Sequence, residues 1–178
     1  MYKTSTNKTK HGSLQCFADH SDMLGDYSKN VYSTEEIRKI AILDIRILNC
    51  DRNEENVLVK KWQSMVETST GVKCKKEYKL IPIDHGLSFP DNFAIYTTEL
   101  VWMNFSQIQG PLSTEELLFI DGIDPEGDCQ LLREKLGFRE ICLRNFRIAE
   151  TFLKAAAQKG FSLQDIGLML YRRAPESS

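Results

Sequence analysis

Apolar residues recur at helical spacing through "STEEIRKIAILDI" (33–45), where Ile37, Ile40, Ala41 and, further on, Leu48 fall on one face. Ser33 and Glu36 stand in capping-box spacing at the start, so a hydroxyl and a carboxylate can each satisfy an otherwise unpaired N–H of the first turn. Asp44 falls on the same stripe, which points a carboxylate inward, and a buried charge needs a donor nearby. The pattern then changes period. "NVLVKKW" (56–62) and "YKLIPID" (78–84) read as two strands separated by a polar stretch with Gly71, Lys73, Lys75 and Lys76, which predicts a hairpin with a long, mobile tip whose lysines are solvated. Beyond "IPIDHGLSFP" comes a loop rich in aromatics, Phe89, Phe93, Tyr96, Trp102 and Phe105, and then helix signals dominate. Ser113 and Glu116 repeat the capping-box spacing before "LLFI". A long helix is predicted over 139–158, with Phe146, Ala149, Phe152, Leu153 and Ala156 on one side and Gly160 ending it, and Ser162 and Asp165 open the last helix. The element type of "SLQCF" (13–17) stays open.

Composition narrows the class more than the function. A chain of 178 residues is long enough for one domain with a real core, and 42% hydrophobic with 27% charged residues is ordinary globular material. No apolar run approaches the roughly 20 residues of a membrane helix. A formal charge of -2 gives no overall pull toward nucleic acid or anionic lipid, so any electrostatic binding face must be local. The five cysteines are odd in number, widely spaced and without a CxxC pair, which favours free thiols over a disulfide framework or a zinc site. "MYKTSTNKTKHGSLQ" lacks the apolar core of a secretory signal, so the expected location is cytoplasmic, with the nucleus as the alternative.

The candidate chemistry lies between the first helix and the end of the ribbon. In "LNCDRNEENVLV", Asp51 precedes Asn56 by five residues just before a strand, and Asp84, His85 and Gly86 follow the next strand. Either half alone is weak: the first reads equally as an Asx-type turn and the second as a strand-end cap. Together, on flanking strands and in this order, they match the layout of a kinase C-terminal lobe, where a catalytic-loop aspartate precedes a metal-binding asparagine by five residues and a second metal-binding aspartate is followed by glycine. Carboxylate and amide oxygens are what a hard divalent cation bridging ATP phosphates requires.

"LDIRILNCDRNEENVLV" with "LIPIDHGLSFP" resembles the phosphatidylinositol 3-/4-kinase superfamily, most closely its type II phosphatidylinositol 4-kinases and plant gamma group. Asp44, Asn49, Asp51, Arg52 and Asn56 match one family pattern, and Ile83, Asp84, Gly86 and Pro90 match a second. The order H-R-D of ordinary protein kinases is absent, and Asn53 stands where many relatives carry histidine. The resemblance implies an α+β fold: a kinase-like C-terminal lobe, mainly helical, with a short two-stranded ribbon carrying the catalytic and metal-binding loops. It places the domain at 13–173, after a poorly ordered 1–12 and before a tail at 174–178. It implies Asp51 and Arg52 as catalytic residues, with Arg52 anchoring the loop by ion pairing. Asn56 and Asp84 would be the ligands of Mg2+ or Mn2+ and, through it, ATP. The implied reaction is transfer of the ATP γ-phosphoryl to the 4-hydroxyl of phosphatidylinositol at a membrane surface, by a protein peripheral to membranes, with no nucleic-acid partner. Trp102, in a segment similar to the family's aromatic one, would either dip into the bilayer interface or cover the core. Nothing before residue 33 reads as an N-lobe, so the 178 residues are expected to be an incomplete catalytic region, inactive alone. A non-catalytic binding or scaffold module and a protein kinase are the alternatives.

Overall fold

A computed structural model describes residues 2–3, 9–10, 16–20, 22–68, 71–93 and 100–171. Among them the fold is α+β, with five α-helices, α1 (Thr34–Ile47), α2 (Thr114–Asp121), α3 (Pro125–Leu136), α4 (Glu140–Gln158) and α5 (Leu163–Leu170). Two short strands near the start, β1 (Tyr2–Lys3) and β2 (Thr9–Lys10), pair antiparallel with each other. The main sheet has the order β3-β4-β5, formed by β3 (Asp22–Met23), β4 (Val57–Thr68) and β5 (Gly71–Pro82). The rest of the 1–12 stretch, the tail at 174–178 and Tyr96 lie outside the described residues.

The ribbon departs from the expected one. It is neither short nor two-stranded: β4 and β5 each run 12 residues in unbroken register, from Val57 opposite Pro82 to Thr68 opposite Gly71, and β3 adds a third strand against Leu58 and Val59. Lys73, Lys75 and Lys76 are therefore strand residues of β5 rather than part of a loop, and the connection narrows to residues 69–70, outside the described set. Only the base of the ribbon is buried, through Val57, Leu58, Val59 and Leu80. Further out both faces meet water, so no alternation of apolar and polar positions marked the strands.

Helix α1 is the central element. Ser33 caps it as expected, accepting from the Glu36 N–H, and Ile37, Ile40, Ala41, Ile45 and Leu48 are buried against α4, α5, the ribbon base and two short 3-10 turns at Val101–Asn104 and Ser106–Ile108. Capping boxes open α2 at Ser113/Glu116 and α5 at Ser162/Asp165, and α4 spans nearly the expected range, followed by Gly160 at φ 81. Cys129, Leu143 and Phe146 form a smaller apolar cluster with Phe89 and Phe138 where α3 packs on α4.

A partly buried ionic tie joins α1, α3 and α4. Arg46 donates to Glu150 at 2.6 Å and to Asp128 at 2.8 Å, and Glu150 is fully enclosed, with one carboxylate oxygen unpartnered among the described residues. Burial pushes the Glu150 carboxyl above its ordinary value against the opposing pull of Arg46. A raised folded pKa means the native state holds the proton more tightly. The stabilisation is complete below the unfolded value, near 4.5, and declines as pH rises through the folded one. In thermal melts from about pH 4 to about pH 7 the stability of the native chain relative to Glu150→Gln should decline as pH rises. Identical slopes in the two proteins would show that Glu150 carries no such linkage.

Candidate functional site

The segment after α1 turns sharply. Leu48 ends the helix in the left-handed region at φ 50, its N–H bonded to the carbonyls of Asp44 and Ile45. Asp84 (φ 49) and Phe89 (φ 54) are the other non-glycine residues with positive φ among those described, and both lie in the loop that faces this turn. Two backbone bonds lock loop to turn: Cys50 N–H to the Leu87 carbonyl at 2.9 Å, and Phe89 N–H to the Ile47 carbonyl at 2.8 Å. Strained backbone gathered at one place and held by its surroundings is characteristic of functional sites.

Beneath these loops lies a buried polar hub, and the helical stripe located its centre correctly. Asp44 is fully enclosed; its carboxylate accepts from Arg52 Nε (3.1 and 3.2 Å) and Nη2 (3.0 Å), from Asn49 Nδ2 (3.0 Å) and from Trp102 Nε1 (3.0 Å). Tyr171, at the end of α5, donates its hydroxyl to the Asp44 carbonyl at 2.8 Å, and burial followed by the Asp44 charge raises the phenol pKa, so the proton stays on. Asn49 also accepts the Asp51 N–H.

Arg52 carries the hub outward to the ribbon. Its Nη1 donates to the carbonyls of Asn56 (2.7 Å) and Ile83 (2.6 Å), the first residues beyond the paired ends of β4 and β5, and its Nη2 meets His85 Nδ1 at 2.9 Å. Desolvation and the adjacent guanidinium push the His85 pKa below its ordinary value, which keeps that ring a neutral acceptor at neutral pH. Arg52, expected among the catalytic residues, is fully buried with its donors spent on protein.

Asp51, Asn56 and Asp84 sit at one end of the ribbon. Ile83 N–H bonds the Asn56 carbonyl at 3.0 Å, which sets Asp84 one residue past the partner of Asn56. Asn53 accepts the N–H groups of Glu55 and Asn56 and so caps the short 3-10 turn Glu54–Asn56 between Asp51 and the strand. Asn56 Nδ2 donates to the Asp51 carbonyl at 2.7 Å, which fixes the rotamer and leaves its amide oxygen as the available end. Asp84 accepts the Gly86 N–H at 3.2 Å through one oxygen, keeping the other, while Asp51 is exposed. The Asx-like bonds weighed against the site thus exist, and they orient it.

No group of three or more His, Cys, Asp or Glu that could hold a metal occurs among the described residues. One carboxylate and one amide oxygen nevertheless suit a hard cation such as Mg2+, which keeps several waters and takes further ligands from substrate phosphates.

Trp102 and Tyr171 were missed as members of the site. Trp102 is 1% exposed, so in this structure it covers the core and cannot dip into a bilayer. Its ring packs so closely on α5 that a Cβ added at Gly167 would come within 2.9 Å of it. Trp102→Phe retains most of the packing but leaves Asp44 short of one donor, and should cost about 1–3 kcal/mol in urea denaturation. A cost below about 0.5 kcal/mol would show that this bond contributes little.

The family described as phosphatidylinositol 3- and 4-kinase matches residues 1–165. The chain is similar to phosphatidylinositol 4-kinase gamma 6 of Arabidopsis thaliana, 39% identical over 165 residues, which cover 92% of this chain and 25% of that protein. It is 38% identical to gamma 8 of the same plant over 175 residues, covering 95% of this chain and 32% of the relative. Phosphatidylinositol 4-kinase gamma 4 of Oryza sativa subsp. japonica is 34% identical over 165 residues, with 92% and 27% covered. The chain thus spans about a quarter to a third of the length of these curated relatives.

Proposed function

The chain belongs to the phosphatidylinositol 3- and 4-kinase family, and we propose that Asp51, Asn56 and Asp84 form the metal- and phosphate-facing side of a site that phosphorylates phosphatidylinositol. The observation that carries this reading is the Arg52 bridge, in which one buried guanidinium holds the ends of both strands and thereby fixes Asn56 relative to Asp84. In phosphoryl transfer the protein's contribution is mainly positioning and charge stabilisation, and a rigid mount for the oxygen donors serves both.

In this reading Asn56 and Asp84 would hold a divalent cation, Mg2+ or Mn2+, which would supply charge neutralisation to the phosphates of ATP. Asp51 accepts the proton of the inositol 4-hydroxyl as that oxygen bonds to the γ-phosphorus. The bond from the γ-phosphorus to the β–γ bridging oxygen breaks, and ADP leaves. Arg52, Asp44 and Asn49 act one layer back, as positioning residues. The domain is proposed to occupy 13–173 as a kinase-like C-terminal lobe, in a protein peripheral to membranes.

A chimera tests the proposal. The 165 matched residues of Arabidopsis phosphatidylinositol 4-kinase gamma 6 are replaced by their counterparts from this chain, and transfer from labelled ATP to phosphatidylinositol is followed beside the unaltered relative. Lipid phosphorylation by the chimera supports the assignment. A folded chimera that labels no lipid while the parent does, or that labels only protein, overturns it.

A further inference from the structure

We propose that the outer part of the β4–β5 ribbon is a docking surface for a membrane rich in anionic lipids. Past the last buried pair, Val59 opposite Leu80, none of the ribbon residues whose burial is described is buried. A two-stranded ribbon standing in water is marginally stable by itself, so this length is the part of the molecule that gains most from a partner.

Its charge differs from that of the chain. Residues 60–79 hold six lysines, Lys60, Lys61, Lys73, Lys75, Lys76 and Lys79, against two glutamates, Glu67 and Glu77, leaving +4 in a chain whose net charge is -2. Lys60 pairs with Asp19, Lys61 with Asp22 and Lys75 with Glu77, while Lys73, Lys76 and Lys79 stand in no ion pair among the described residues. The register sets Lys60 opposite Lys79, and alternation places Lys73 and Lys75 on the same face as these two, with Trp62, Val66 and Glu77 among them. Like charges directly across a ladder repel, and an anionic surface relieves that repulsion.

Apolar side chains decide which kind of anion. Both faces carry exposed apolar side chains: Trp62 and Val66, about 40% exposed, lie among Lys60, Lys73, Lys75 and Lys79, while Met65 (72% exposed) and Val72 (60%) lie on the opposite face with Lys61 and Lys76. A nucleic acid would engage the lysines and could stack on Trp62 but would gain little from methionine and valine. A bilayer accepts all of them: ammonium groups reach phosphates on flexible stems, the indole sits at headgroup level and the aliphatic groups enter the acyl boundary. The inference rests on the lipid-kinase reading for its biological setting, and its test uses no turnover.

The complete 178-residue chain is mixed with vesicles of phosphatidylcholine alone or of phosphatidylcholine with phosphatidylserine, neither containing phosphatidylinositol, and bound protein is measured by co-sedimentation at low and high salt. The expected result is binding to the phosphatidylserine vesicles only, weakened by salt, with a blue shift of Trp62 fluorescence read in Trp102→Phe. Each lysine near an anionic surface contributes about fivefold, so Lys73→Gln/Lys75→Gln/Lys76→Gln should lower affinity by about 100-fold at an unchanged melting temperature. Met65→Ser/Val72→Ser should weaken binding while preserving its salt dependence. Failure to bind phosphatidylserine vesicles, binding unaffected by the lysine substitutions, or retention on nucleic acid in place of vesicles overturns the proposal. Vesicle binding by a chain whose chimera transfers no phosphate would refute the kinase reading and leave the docking surface standing.

Discussion

Arg52→Met should destabilise the chain by about 3–5 kcal/mol, because it removes the buried cation and leaves the Asp44 carboxylate enclosed without its main partner. The loss extends past one ion pair. The same guanidinium serves the carbonyls of Asn56 and Ile83 and the ring of His85, so the loops on both sides of the ribbon end lose their common mount. Amide exchange should accelerate at Asn56 and Ile83 as well as near Asp44. Arg52→Lys preserves the charge but cannot reach all of these acceptors from a single nitrogen, and should fall between the native chain and Arg52→Met. Asp44→Leu combined with Arg52→Met removes both charges and should recover part of the loss, since neither is then buried alone. Urea denaturation of the four proteins distinguishes these outcomes, and a cost under about 1 kcal/mol for Arg52→Met would show that the hub is not what holds the site.

Asp84→Asn should lower phosphoryl transfer by the chimera by about 100-fold or more while leaving its melting temperature unchanged. Asparagine is the informative substitution because Asp84 sits at φ 49, a conformation asparagine adopts at less cost than alanine, and because it still accepts the Gly86 N–H. Only the charge is lost. Asp84 is exposed and makes no tie to the core, so an effect on turnover without an effect on stability is the pattern of a ligand. Unchanged turnover in Asp84→Asn would remove Asp84 from the site.

What the sequence disclosed follows the range of each interaction. The caps at Ser33, Ser113 and Ser162 are contacts over three residues and were legible, as was the inward placement of Asp44, which follows from the helical period alone. The shared placement of Asp51, Asn56 and Asp84 was legible from the order of elements, because a short turn joins the first two and an antiparallel ribbon returns the chain to the same end. The partners of Asp44 were not: Trp102 reaches it from 58 residues away, and Tyr171 reaches its carbonyl from 127. The outer ribbon escaped notice because both its faces are wet, which leaves no alternation for a sequence pattern to report. Arg52 is read from the sequence both as an anchor and as a catalytic residue; its partners in the anchor, the carbonyls of Asn56 and Ile83, are set by the ribbon and were not legible.

The central claim, that the ribbon end is a metal and nucleotide site, is tested most directly by titrating the isotopically labelled chain with Mn2+·ATP and mapping paramagnetic broadening of its amide resonances. The account predicts broadening confined to the Asp51–Asn56 turn and the Ile83–Leu87 loop at low occupancy, abolished in Asp84→Asn and absent with Mn2+ at the ribbon tip. Broadening centred elsewhere, or unchanged by Asp84→Asn, would contradict it.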